Sequence, residues 1–140
     1  MNISKYDKYV YDVERRTIAE KLMLFCGVPA DLGGFAKLVD CSVVASYYPT
    51  APLNAIYRAV GAMYGVTPKT ILRAVSYALY KSPDFANAIS LVIGTRIKPS
   101  DVHSGMAIAL LGKIIDNPAL SPMYDAQTRT FRLPLMQRVE

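Results

Sequence analysis

The chain has 140 residues and a formal net charge of +5, and 52% of its residues are hydrophobic and 19% charged. These values are typical of one globular domain and exclude a disordered chain. No apolar run reaches the roughly 18 residues that a transmembrane helix needs, and the first residues lack the apolar core of a secretory signal. We therefore expect a cytoplasmic protein with no membrane partner.

The residues that could carry catalysis or bind a metal do not form a recognised set. Cys26 and Cys41 stand in apolar periodic segments, so both are expected to be small buried hydrophobic residues. Only His103 could join them, whereas a closed zinc site takes four ligands. Without a Ser-His-Asp set or a phosphate-binding glycine-rich loop, the sequence predicts no enzyme, no metal, no cofactor and no small-molecule substrate. His103 is expected to cap or pack near the start of the last helix.

Apolar residues recur mostly at spacings of three and four, which predicts an all-α fold with six helices. The first helix is predicted over Val13–Phe25, and it ends before Gly27 and Pro29, which favour termination. The second helix is predicted over residues 31–47 and the third over Leu53–Tyr64.

The fourth helix is predicted over residues 67–81, with Thr67 as N-cap and Pro68 at the first helical position, where no backbone donor is lost. The fifth is predicted over residues 83–93. The sixth is predicted over residues 100–116, with a core-facing side formed by Val102, Met106, Ala109 and Leu110.

These helices place a helical domain at residues 13–116. An N-terminal extension of residues 1–12 precedes it. Residues 117–140 follow as a C-terminal tail, which is predicted to be irregular apart from a short strand around residues 128–133.

The third and fourth helices together fit a helix-turn-helix. This motif needs a small residue where the helices cross, a turn residue that can adopt positive φ, and apolar residues that lock the pair. Gly61 is expected at the crossing and Gly65 in the turn. The lock is expected from Val60, Tyr64, Val66, Ile71 and Ala74.

The fourth helix is then the one that would enter the DNA major groove. Arg73 on its outer side is suited to a bidentate contact with guanine, and the start of the helix favours phosphate. No Asp or Glu occurs between Cys41 and Pro83, which suits a surface that approaches phosphates. The alternative is a solvated helix face whose tyrosines cover a neighbour. The predicted outer face consists of Lys69, Thr70, Arg73, Ser76, Tyr77 and Tyr80.

Several stretches in chain order carry a family resemblance: GVPA at residues 27–30, GFAKL at 34–38, GVTPKTILRAV at 65–75 and TRIKPS at 95–100. With them, residues 13–115 resemble the C-terminal DNA-binding domain of the stage zero sporulation protein A family, the sporulation response regulators of endospore-forming bacteria. The resemblance implies a six-helix, winged-helix-like domain that regulates transcription. It also implies binding to double-stranded DNA, often as homodimers on tandem sites.

The chain departs from the family pattern in two respects. In the family, the recognition helix, which corresponds to the fourth helix here, carries a Glu-Arg pair, then Ala and an apolar residue, then an Arg-His pair. This chain has Leu72 and Arg73 at the first pair and Ser76 and Tyr77 at the second. Family members also carry a phosphate-accepting receiver domain before this one, but only twelve residues precede Val13. We therefore expect either a stand-alone regulator without a receiver domain or a fragment of a longer one.

The sequence-based hypothesis is a sequence-specific DNA-binding transcriptional regulator. The alternative is a protein-interaction module of the same fold that has lost base readout and pairs with a related regulator, because Leu72 and Ser76 are uncharged and exposed tyrosines suit protein interfaces. Ordinary loop charge is the alternative for Arg96 and Lys98. The predicted DNA contacts are Thr67, Lys69, Thr70, Arg73, Ser76 and Tyr77, with Arg96 and Lys98 as phosphate contacts.

Overall fold

A computed structural model describes residues 12–132 of the chain. The all-α prediction is confirmed, because six helices account for most of this part and the remaining regular structure is two short 3-10 turns and one small hairpin. The first and third helices have their predicted bounds. The elements are α1 Val13–Phe25, α2 Gly33–Tyr47, α3 Leu53–Tyr64, α4 Pro68–Tyr80, α5 Phe85–Ile93 and α6 Ser104–Asp116, followed by β1 Tyr124–Asp125 and β2 Thr130–Phe131.

The central element is α2, which contacts α1, α3, α4 and α6. Every residue from Leu38 to Ser46 is buried, because this half of the helix is apolar or small on all sides apart from Asp40. Cys26 and Cys41 are buried free thiols, as predicted. Burial raises the pKa of the Cys26 thiol to about 12 and raises that of Cys41 as well, so both stay protonated at neutral pH.

The predicted core-facing side of α6 is wrong. A 3-10 turn over Pro99–Asp101 delays the helix, which begins at Ser104 with His103 as N-cap. The Nδ1 atom of His103 accepts a hydrogen bond from the Met106 amide at 3.2 Å, which confirms its predicted capping role. Ala109 is exposed, and Val102, Met106 and Leu110 are only half-buried. The side that faces the core is instead formed by Ser104, Ala107, Ile108, Leu111, Gly112, Ile114 and Ile115.

The segment after α6 packs against the domain up to residue 132. The two strands pair antiparallel, Tyr124 opposite Phe131, and this hairpin lies against α1, with the Phe131 side chain in the hydrophobic core. The Lys21 ammonium of α1 donates to the Arg129 carbonyl at 3.1 Å. The observed β2 falls inside the predicted strand. Residues 133–140 of the predicted tail and residues 1–11 of the predicted extension lie outside the described residues.

Candidate nucleic-acid interface

The turn between α3 and α4 has the predicted geometry. Gly65 ends α3 with φ +68°, a left-handed conformation that glycine adopts without strain. A Cβ on Gly61 would lie 2.6 Å from the Val66 carbonyl oxygen, so this position also requires glycine. The Thr67 hydroxyl caps α4 by accepting from the Thr70 amide at 3.2 Å. The two helices are therefore joined by a tight turn that their sequence specifies.

A second close backbone approach to α4 comes from α2, in addition to the one that Gly61 of α3 makes at the start of α4. A Cβ on Gly34 would lie 2.2 Å from the Ala74 carbonyl oxygen and 2.8 Å from the Ala78 Cβ. Gly61 faces the backbone of the turn and of Pro68, the first residue of α4, which agrees with its predicted place where α3 and α4 meet. Because only a glycine fits between them, α4 rests directly on the N-terminal part of α2.

The predicted apolar lock is confirmed only in part. Val60 and Ile71 are fully buried, and Ala74 is half-buried. Val66 and Tyr64 are partly exposed, with 40% of the Tyr64 surface accessible to solvent. These two residues therefore contribute less apolar burial than predicted, and Tyr64 is held in another way.

A buried carboxylate holds the end of α3, and sequence spacing did not reveal it. Asp40 of α2 is buried, forms an ion pair with Arg16 of α1 and accepts a hydrogen bond from the Tyr64 hydroxyl. The Lys37 ammonium lies 4.7 Å from the centre of the Tyr64 ring. Burial, together with the neighbouring Asp40, raises the pKa of the Tyr64 hydroxyl. This network, which we call the Asp40 network, ties the residue before the turn to α1 and α2. The available signal was that Asp40 is the single acidic residue of α2.

The outer side of α4 faces solvent along its whole length. Ile71, Val75, Ala78 and Leu79 are buried on the opposite side, as predicted except that Ala74 is only half-buried. No part of the chain between residues 12 and 132 covers the predicted DNA contacts of this helix. The exposed residues of α4 include Lys69, Thr70, Arg73, Ser76 and Tyr77, together with Tyr80.

Two aromatic side chains dominate the C-terminal half of this surface. Tyr77 is 51% and Tyr80 79% exposed, and their rings stack with centroids 6.4 Å apart. The Lys81 ammonium lies 5.7 Å from the Tyr77 ring centre. This half of α4 therefore presents amphipathic rings beside a positive charge, which suits either phosphate contacts or a protein partner.

The start of α4 is ordered by its own side chains. The hydroxyl oxygens of Thr67 and Thr70 lie 2.9 Å apart, so each threonine already has a partner within the helix end. Pro68 has no N–H and the Thr70 amide is capped, which leaves the Lys69 amide in the first turn for an external acceptor. Thr67 is thus first a capping residue, and its predicted phosphate contact would be additional to that role.

The connector after α5, residues 94–99, reaches the C-terminal half of α4. The Ile97 amide donates to the Ser90 hydroxyl oxygen of α5 at 2.7 Å, which anchors the connector. A groove of about 460 Å³ is lined on one side by Ser76 and Tyr80 and on the other by Pro99 and His103. Lys98 directly precedes Pro99, so the structure brings it near this end of α4. Arg96 is exposed, as Lys98 is, and lies two positions before it in the connector.

The charges carried by α3 and α4 have one sign, and the first carboxylate after them in the chain is the exposed Asp84. The charged residues of α3 and α4 are Arg58, Lys69 and Arg73, and all three are exposed. The nearest carboxylate before α3 in the chain, Asp40, is buried in an ion pair and so contributes little negative charge at the surface. The geometry therefore combines an exposed helix face with a local excess of positive charge.

No protein-family model matches the chain, and neither a curated protein nor a solved structure matches it. None of the helices between residues 12 and 132 has the length and apolar character needed to cross a membrane. Across the same residues, no three His, Cys, Asp or Glu side chains are grouped so that they could hold a metal ion. The resemblance to the sporulation regulators remains a prediction from the sequence motifs.

Proposed function

We propose that the protein is a transcriptional regulator that binds double-stranded DNA by inserting α4 into the major groove. The observation that carries this proposal is the outer side of α4, where exposed Lys69 and Arg73 project from a helix whose other side is packed on the core. A single α-helix fits the major groove, and the N-terminal residues of such a helix contact the base edges.

The exposed residues divide into two roles by their position along α4. Arg73 and Ser76 lie in the part that would contact bases, and the guanidinium of Arg73 matches the two acceptors of guanine. Lys69, near the helix start, and Lys98, from the connector, would contact phosphates on the two sides of the groove. Arg96 is assigned to a phosphate as well. Tyr77 has a hydroxyl that can donate to a phosphate further along the helix.

The family resemblance extends this proposal. It suggests a sporulation-type regulator that acts in the cytoplasm and binds tandem sites as a homodimer. The protein would then act by binding DNA and not as an enzyme. These finer statements are supported by the motifs at residues 27–38, 65–75 and 95–100.

The second candidate function is a protein-interaction module, and the exposed tyrosines favour it. Tyr80 and the neighbouring groove offer an aromatic and apolar surface of the kind that protein partners bury. In this case α4 would contact a related regulator instead of DNA. The two functions differ in whether the isolated protein binds a duplex at low salt.

Salt dependence is the first test. The full chain is titrated into a fluorescent random-sequence duplex at about 50 mM and about 200 mM salt, and anisotropy is measured. With three phosphate contacts, from Lys69, Arg96 and Lys98, affinity should fall roughly fortyfold across this range, because each neutralised phosphate releases a counterion. An absence of binding at the lower salt concentration would leave only the interaction module.

Arg73→Ala is the second test, on a duplex selected from a random library by the full chain. We expect binding to weaken by about 1–3 kcal/mol on the selected duplex, with little change on random DNA, because the contact to guanine is lost. Equal weakening on both would make Arg73 a phosphate contact. Arg58→Ala is the matched control, because Arg58 is exposed on α3 and has no assigned contact.

A further inference from the structure

The part of α4 that would contact bases carries apolar groups on both sides of Arg73. Thr70 lies three residues earlier and therefore on the same side of the helix. Its hydroxyl already contacts that of Thr67 at 2.9 Å, so its methyl group is the part left for another contact. Leu72, on the other side of Arg73, lies at the edge of the outer side and is 38% exposed. A mixed guanidinium and apolar surface results.

The residue types that are absent from α4 restrict which bases it can recognise. The helix contains no Asn or Gln, which pair with adenine, and no Asp or Glu, which accept from cytosine. The Ser76 hydroxyl can pair with more than one base, so the selective groups that remain are a guanidinium, which suits guanine, and apolar groups, which suit the C5-methyl group of thymine. Among the four bases, thymine alone presents a methyl group in the major groove.

We infer that α4 reads thymine methyl groups through Leu72 and Thr70, beside a guanine read by Arg73. This inference rests on the proposed function and names the class of DNA site: a guanine with neighbouring thymines. It also accounts for a partly exposed leucine at the edge of the outer side of α4, because burial against a methyl group removes its apolar surface from water.

Replacing thymine by deoxyuridine tests the inference directly, because this change removes the methyl group and keeps base pairing. The full chain first selects a preferred duplex from a random library, and that duplex is then made with thymine or with deoxyuridine. We expect wild-type affinity to fall about fourfold for each methyl contact, the factor that corresponds to burying one methyl-sized apolar group.

Two variants assign the effect to side chains. The thymine preference is the affinity for the thymine duplex divided by that for the deoxyuridine duplex. Leu72→Ala should lower this ratio about fourfold. Thr70→Ser should lower it by a similar factor, because it removes only the methyl group and keeps the hydroxyl that contacts Thr67. Leu24→Ala is the matched control, since Leu24 is an exposed leucine on α1, and it should keep the wild-type preference. Any change in the flexibility of the uracil duplex affects all four proteins equally and cancels in this comparison.

The outcomes separate this inference from the function on which it depends. Tight binding with equal affinity for the thymine and deoxyuridine duplexes overturns the methyl readout and leaves the DNA-binding function standing. Retention of the full thymine preference by both Leu72→Ala and Thr70→Ser overturns the assignment to these residues. Failure of the wild-type chain to bind any duplex at low salt overturns the proposed function and the methyl readout together.

Discussion

The two sides of α4 differ in how much change they can accept. On the inner side, Ile71 and Val75 are fully buried and the Ala74 carbonyl lies against Gly34, so no atom can be added without movement. On the outer side, Arg73 and Tyr77 lie in solvent. The inner side therefore determines stability, whereas substitutions on the outer side, to which the proposed function assigns recognition, should leave the fold undisturbed.

The largest expected effect is on the inner side, from Gly34→Ala. We expect the free energy of unfolding to fall by roughly 3 kcal/mol, because the new Cβ would overlap the Ala74 backbone and force α2 and α4 apart. Urea denaturation followed by circular dichroism measures this loss.

The neighbouring glycine gives a matched control for that change. A Cβ on Gly33 would meet only the Lys37 ammonium, at 3.5 Å, so Gly33→Ala should leave stability nearly unchanged. Equal stability of the two variants would show that α2 and α4 do not make the close contact that defines the inner side. The outer-side variant Arg73→Ala should resemble Gly33→Ala in stability.

Asp40→Ala is expected to have a smaller effect and to lower the free energy of unfolding by about 2 kcal/mol. Removal of a buried ion-pair partner is usually more destabilising, but the Arg16 side chain is 29% exposed, so water offsets part of the loss. Chemical denaturation measures the change. Tyr64→Phe removes one hydrogen bond of the Asp40 network and should cost about 1 kcal/mol. If both variants lose the same amount, the ion pair with Arg16 contributes nothing to stability.

The smallest effect on stability is expected at the N-cap of α4. Thr67→Ala removes the N-cap acceptor of the Thr70 amide and should lower the free energy of unfolding by about 1 kcal/mol. Thr67→Ser keeps the hydroxyl and should restore stability, as read from thermal denaturation. Loss of DNA affinity in Thr67→Ala beyond that in Thr67→Ser would show that the capped helix end also serves binding.

The helices that could be predicted well are those with a polar side. The polar positions of α4 mark its outer side, so most of its buried residues and its exposed face were predictable from spacing. In α6, only Lys113 and Asp116 are charged, and apolar residues point in every direction, so spacing could not select the core-facing side. The burial of α2 on all sides could not be read from one helix alone, because it depends on four neighbours.

Two features of the site could not be predicted because they depend on residues distant in the chain. The need for glycine at position 34 arises from the backbone of α4, forty residues later, and no local pattern reports it. Asp40 is polar in an otherwise apolar run, but its partners Arg16 and Tyr64 both lie 24 positions away. Local signals were sufficient for Gly65 and Thr67, whose partners are a few residues away.

The contact between the hairpin and α1 has a consequence for the order of events during synthesis. Lys21 meets Arg129 across 108 positions, and Phe131 completes the core that α1 enters. Because the N-terminus leaves the ribosome first, α1 can pack on α2 early, but the part of its surface that contacts the hairpin stays uncovered until residue 131 has emerged. Nascent chains that stop before residue 131 should therefore be preferred clients of chaperones that bind exposed apolar surface.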